Sequence, residues 1–186
     1  IYDLVGIGNA IVDMLANVEE EFIEIQQLEK GTMKLEDENQ STKICKAIEI
    51  VEKNSGGSVA NTVAGLALLG SKVAFIGKVK EDEQGHAFEE SLKRIGVTFN
   101  TEKSKEGPAT AHCVVMVTPD AQRTMNTCLG ISGTLCCDDI DEDVISNSKV
   151  TYLEGYLWDS KEAKEAFKKA IKIAKGANRV TAFSLS

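Results

Sequence analysis

Long apolar runs are missing from this chain, and none approaches the roughly 20 residues of a membrane span. Basic runs are missing too, and the formal net charge is −8, so a nucleic-acid surface is disfavoured. Histidine occurs only twice, as His86 and His112, far apart and without ligand-like neighbours, so no zinc site is expected. The cysteines are Cys45, Cys113, Cys128, Cys136 and Cys137, odd in number and without a C-x-x-C pair. They are expected to be buried or idle thiols in a reducing compartment, the cytoplasm. Proline stands only at 108 and 119, and no repeat or low-complexity linker interrupts the chain. What remains is a chain of 186 residues, 42% hydrophobic, long enough for one domain with a sizeable core.

Apolar periodicity sets the expected elements. Residues 2–7 read as a strand, 13–18 as an extended segment, 19–28 as a short acidic helix and 32–35 as a strand. Residues 39–51 place Ile44, Ala47, Ile48 and Val51 at helical spacing. A helix of small residues follows over 58–69, closed by Gly70. Next come a buried strand at 73–79 and a helix to Ile95, capped by Asp82. Residues 97–100, 113–118 and 124–128 read as strands with no helix between them, which predicts a small antiparallel sheet. A helix at 139–146, a strand at 150–154, an amphipathic helix at 161–175 and a strand at 179–185 complete the pattern. Alternating strands and helices predict an α/β fold with a mostly parallel sheet.

Three segments carry candidate chemistry. Gly6-Ile7-Gly8-Asn9-Ala10-Ile11-Val12-Asp13 ends a strand with an amide and a carboxylate suited to hydroxyl groups. It is not a dinucleotide fingerprint, because Ile11 stands where the third glycine belongs and no helix follows. Gly56-Gly57-Ser58-Val59-Ala60-Asn61 opens a helix. Two glycines allow close backbone approach, and a helix start offers N–H donors. Gly77-Lys78-Val79-Lys80-Glu81-Asp82-Glu83-Gln84-Gly85 reads as a strand end, a cap and a turn. Taken alone, Asn9 and Asp13 are better explained as a turn asparagine and a solvated aspartate, and the glycine pair has a tight loop-to-helix turn as its bland alternative.

Their order, with Pro119–Thr127 and Glu154-Gly155-Tyr156, resembles the ribokinase/PfkB family, most closely its adenosine-kinase-like members. The resemblance covers essentially the whole chain. It implies a ribokinase-like sheet flanked by helices, with a β-sheet lid formed by about 13–36 and 97–128. It implies transfer of the γ-phosphoryl of ATP, with Mg2+, to the hydroxymethyl group of a ribonucleoside or sugar, adenosine to AMP above all. A ribokinase- or fructokinase-like sugar kinase and a non-catalytic binding protein of the same fold stay open as alternatives.

By this resemblance Asp13 accepts from two ribose hydroxyls, Asn61 reaches the same sugar, and Gly56 and Gly57 let it lie against the backbone. Asn9 lines the pocket, Tyr156 packs near the base, and Arg123 is either a phosphate neighbour or a lid-surface arginine. Val59 and Lys80 depart from the family's usual smaller residue and glycine and leave substrate identity open. The family's catalytic aspartate, in a Gly-Ala-Gly-Asp run, has no counterpart here, nor does its Asn-x-x-Glu magnesium motif. These and the ATP pocket are expected beyond residue 186, and residues 1–186 are read as the N-terminal part of one domain. The absent initial Met and the stop after a strand are read in the same way. Partners implied are a small nucleoside or sugar, with the protein a monomer or a lid-mediated homodimer. An isolated half is expected to leave apolar sheet surface uncovered and to fold poorly alone.

Overall fold

The computed structural model describes residues 1–185. In chain order the strands are β1 (Tyr2–Ile7), β2 (Ile11–Asn17), β3 (Met33–Leu35), β4 (Glu52–Gly56), β5 (Val73–Ile76), β6 (Thr98–Phe99), β7 (Ala111–Val117), β8 (Arg123–Cys128), β9 (Ser148–Leu153) and β10 (Val180–Phe183). The helices are α1 (Glu20–Ile25), α2 (Glu38–Ala47), α3 (Ser58–Leu68), α4 (Glu83–Arg94), α5 (Glu142–Ser146) and α6 (Lys161–Gly176). Short 3-10 helices occupy Gly130–Thr134, Cys137–Asp139 and Gly155–Asp159.

Two five-stranded sheets form. The main sheet runs β10-β9-β1-β5-β6, and every pairing in it is parallel. Parallel strands need both faces covered. Val5, Ile7 and Leu153 pack on one face against Phe167 and Ala170 of α6 and Ile145 of α5. Phe75 and Val73 pack on the other against Val59 and Val63 of α3 and Phe88 and Leu92 of α4. α6 is amphipathic because Ala163, Ala166, Phe167, Ala170 and Ala174 recur at helical spacing, and all five are buried. Val180 and Phe183 on the outer strand β10 are 61% and 41% exposed.

The second sheet runs β3-β8-β7-β2-β4. Ala16, Val114 and Met116 on one face are covered by Ile23 of α1 and Ile44 of α2. The opposite face carries Ile11, Asp13 and Leu15 of β2 beside Ala111, Cys113 and Val115 of β7, in register.

This sheet corrects three expectations. It is mixed, since β2 and β7 pair in parallel, as do β3 and β8. Thr98 and Phe99 leave it altogether and pair with β5 in the main sheet. Glu52–Gly56, with no alternating apolar pattern, becomes its outer strand, and α2 stops at Ala47. A strand of Glu, Lys, Asn and Ser is stabilised by pairing to β2, which is tertiary context that local periodicity does not encode. Among the described residues no helix is long and apolar enough to cross a membrane.

Candidate functional site

The site lies beyond the carboxyl ends of β1 and β9, where ligands sit in open α/β sheets. β1 ends at Ile7, and the chain crosses through Gly8, Asn9 and Ala10 into β2 of the second sheet. Asn9, 3% exposed, is held on three sides. Its side-chain Nδ2 donates to Glu154 Oε1 at 2.8 Å and its backbone N–H to Glu154 Oε2 at 3.2 Å. Its Oδ1 accepts from the Ser132 hydroxyl at 2.9 Å. A carboxylate only accepts, so the amide orientation of Asn9 follows from the network.

Glu154 follows β9 and is 1% exposed. Burial pushes its carboxyl pKa up; hydrogen bonds from Asn9, Val59 and Ser58 oppose that rise. The Val59 backbone N–H, in the first turn of α3, reaches Glu154 Oε2 at 3.4 Å. One of the donors expected to be free at this helix start is thus taken by an internal carboxylate.

The two glycines before α3 do separate jobs. Gly57 has φ +102, and a Cβ there would stand 2.4 Å from the Asn9 carbonyl oxygen. Gly56 pairs with Ile11, and a Cβ there would strike the Asp13 carboxyl at 2.4–2.5 Å. The missing side chain is the space that Asp13 fills. Asp13 accepts no hydrogen bond from the described residues, and burial alone raises its pKa. Its register neighbour Cys113 accepts from Thr127 Oγ1 at 3.2 Å, and burial pushes its thiol up to about 11.

A cleft of about 370 Å³ opens beside these groups, lined by residues that include Asn9, Ile11, Met33, Leu35, Ser58, Thr127, Leu129, Glu154, Tyr156 and Asp159. Ile11 shares a strand face with Asp13, one alternation away. Tyr156 is 61% exposed at the cleft. Asn61 is exposed on the first turn of α3, and Arg123 is exposed at the far end of β8, opposite Val117. Neither lines the cleft, and Asp13, Gly56 and Gly57 stand behind its lining residues Asn9, Ile11 and Ser58 without lining it themselves. A larger cavity of about 530 Å³ lies past Lys78 and β6 and contains none of the predicted site residues. The smaller cleft is the better candidate because convergent polar groups, not volume, define a binding site.

Sequence reading left out Glu154 as a site residue, together with Ser58, Ser132 and the apolar wall of Met33, Leu35 and Leu129. Glu154 was visible only inside its Glu-Gly-Tyr run. No local signal tied Ser132 to Asn9, 123 residues away. Among the described residues no group of three or more His, Cys, Asp or Glu side chains could hold a metal ion.

A strand-end amide, the Asp13 carboxylate and a double-glycine helix start sit at the carboxyl ends of a parallel sheet flanked by helices, the ribokinase-like α/β fold. Residues 33–185 match the pfkB family of carbohydrate kinases, and the chain belongs to that family. It is 35% identical over 136 residues to a 5-dehydro-2-deoxygluconokinase of Clostridium perfringens, covering 72% of this chain and 40% of that protein. The crystal structure of adenosine kinase from Sinorhizobium meliloti superposes with a TM-score of 0.89 at 41% identity, covering 100% of this chain and 57% of that one. A probable sugar kinase protein from Rhizobium etli CFN 42 gives a TM-score of 0.89 at 37% identity, covering 100% and 56%. The chain thus spans 40% of the first curated relative and 57% of the first solved one.

Proposed function

We propose that this chain is the substrate-binding part of an ATP-dependent kinase that phosphorylates the hydroxymethyl group of a neutral ribonucleoside, adenosine foremost. The observation that carries the reading is Asp13. A half-buried carboxylate with no protein donor is costly, and burial raises its pKa to match. Two adjacent ribose hydroxyls supply the two donors that its oxygens lack. Gly56 keeps the carboxylate recessed, and Asn9, fixed by Glu154 and Ser132, is the neighbouring polar contact.

Charge supports a nucleoside over a sugar acid. The cleft's charged lining residues are Glu154 and Asp159, with no Lys or Arg among them. A carboxylate-bearing sugar would meet like charge there, whereas Ile11, Met33, Leu35, Leu129 and Tyr156 suit a flat, weakly polar base. A neutral sugar kinase is the second reading, favoured by the similarity to the probable sugar kinase protein from Rhizobium etli. Kinases of this family use ATP, usually with Mg2+. The lid closes the sugar away from water, the acceptor that a kinase must exclude. In this reading the catalytic base lies outside these residues, Asn61 reaches the sugar, Arg123 is a phosphate neighbour or a lid-surface arginine, and the protein works in the cytoplasm as a monomer or lid-paired dimer.

The test is a phosphorylation assay of the complete protein with adenosine, other ribonucleosides, ribose, fructose and 5-dehydro-2-deoxygluconate. Adenosine is expected to give the highest kcat/KM, and the sugar acid about 100-fold less or worse. A preference for the sugar acid, or adenosine binding without turnover, would overturn the reading.

A further inference from the structure

We infer that Glu154 is a positioning residue, an internal anion seated at the start of α3 that fixes which face of the Asn9 amide meets the substrate. The inference rests on the reading of the cleft proposed above.

The carboxylate reaches its place by three features. Its backbone N–H donates to the Ile7 carbonyl at 3.0 Å, which anchors it as the β1–β9 ladder ends. Gly8 leaves the room, since a Cβ there would lie 2.2 Å from Glu154 Oε2. α3, eleven residues long, then points its positive end and the Val59 N–H at the same oxygen. The remaining partners are the Asn9 N–H, Asn9 Nδ2 and Ser58, so the polar groups of β1's exit and of α3 converge on one side chain.

Only a group that accepts with both oxygens satisfies this set. Oε1 faces Asn9 Nδ2, and Oε2 faces two backbone N–H groups. In Glu154→Gln one of those positions becomes an NH2 group. The backbone donors cannot turn, so the oxygen stays with them and the NH2 faces Asn9. Asn9 relieves the clash by rotating its carboxamide by half a turn. Oδ1 then accepts from the glutamine, and Nδ2 donates to the Ser132 hydroxyl, which accepts as well as donates. The amide thereby reverses the polarity it offers to the cleft. An isosteric change at a residue hidden from solvent would alter recognition with little change in packing.

The test uses the complete protein, with adenosine as probe, and a cycle of Glu154→Gln, Asn9→Ala and both together. KM for adenosine should rise about tenfold in Glu154→Gln with kcat within about threefold, the mark of lost ground-state binding. The double variant should be no worse than Asn9→Ala, because the glutamate acts through that amide. Glu154→Asp, which keeps the charge, should recover part of the loss. Hydrogen exchange at the Val59 and Asn9 backbone amides is read in parallel and needs no turnover. It should quicken about tenfold in Glu154→Ala, which leaves those donors without an acceptor. Additive KM effects in the cycle, or exchange at both amides unchanged in Glu154→Ala, would overturn the inference. Faster exchange in a protein that phosphorylates no nucleoside would instead count against the proposed function and leave the anchoring role standing.

Discussion

Two carboxylates, Glu154 at the edge of the main sheet and Asp13 in the second sheet, are treated in opposite ways. The main sheet has both faces covered, and the acids at its margins are saturated. Glu154 gathers donors from Asn9, Val59 and Ser58. Asp82 caps α4 through Gly85 N–H at 2.8 Å and binds Thr110 through its hydroxyl at 2.7 Å and its N–H at 2.9 Å. The second sheet has α1 and α2 on one face only. On its other face Asp13 stands half-buried with no donor among the described residues. Buried polar groups are normally satisfied by the protein. A saturated acid fits an architectural role, and the unsaturated Asp13 on an open face is the acceptor that the proposed function needs.

Breaking the unsaturated acid should give the largest effect. Each hydrogen bond to a charged group contributes about 1.5–3 kcal/mol. Losing two in Asp13→Ala should lower kcat/KM for adenosine by roughly 10²–10⁴-fold. The thermal midpoint should stay the same or rise, because an unpaired buried charge disappears with it. An unfolded variant would show that Asp13 is architectural after all.

Gly57→Ala should come next. The strained φ alone costs about 1–3 kcal/mol, and the contact with the Asn9 carbonyl adds to it. Denaturant titration should show the loss in the midpoint with little change in slope. Asp82→Ala should cost about 2 kcal/mol through the lost cap and the Thr110 bonds. It should leave KM within about twofold, the reverse of the Asp13 pattern.

The smallest effect is on stability against pH. The folded pKa of Asp13 lies above its ordinary 3.8, so the folded state binds that proton more tightly than the unfolded state. Ligand-free stability should therefore fall as pH rises from below 3.8 through the raised folded value. Asp13→Asn should remove that fall, and a stability curve identical in the two proteins would count against a desolvated Asp13.

Much of the parallel sheet was legible in the sequence because its signals are local. α3, α4 and α6 carry caps, closing glycines or apolar stripes within their own spans. The lid was read less well because its pairing is long-range. β2 pairs with β7 a hundred residues later, and β4 has no apolar alternation to announce it. The site divides in the same way. Asn9, Asp13, Gly56 and Gly57 stood out through residue type and neighbours. Glu154 and Ser132 acquire their roles only when folding brings them to Asn9. Cys113 is similar: only strand register sets that thiol beside Asp13.

The most direct test of Asp13 as the open acceptor is calorimetric titration of adenosine into the complete protein across pH, wild type beside Asp13→Asn. Wild-type affinity should hold near neutrality and fall as pH drops through the raised Asp13 pKa, since a protonated carboxyl loses acceptor capacity. Asp13→Asn should bind weakly at every pH, with that dependence gone. Equal affinity in the two proteins, or wild-type binding indifferent to pH, would contradict the account.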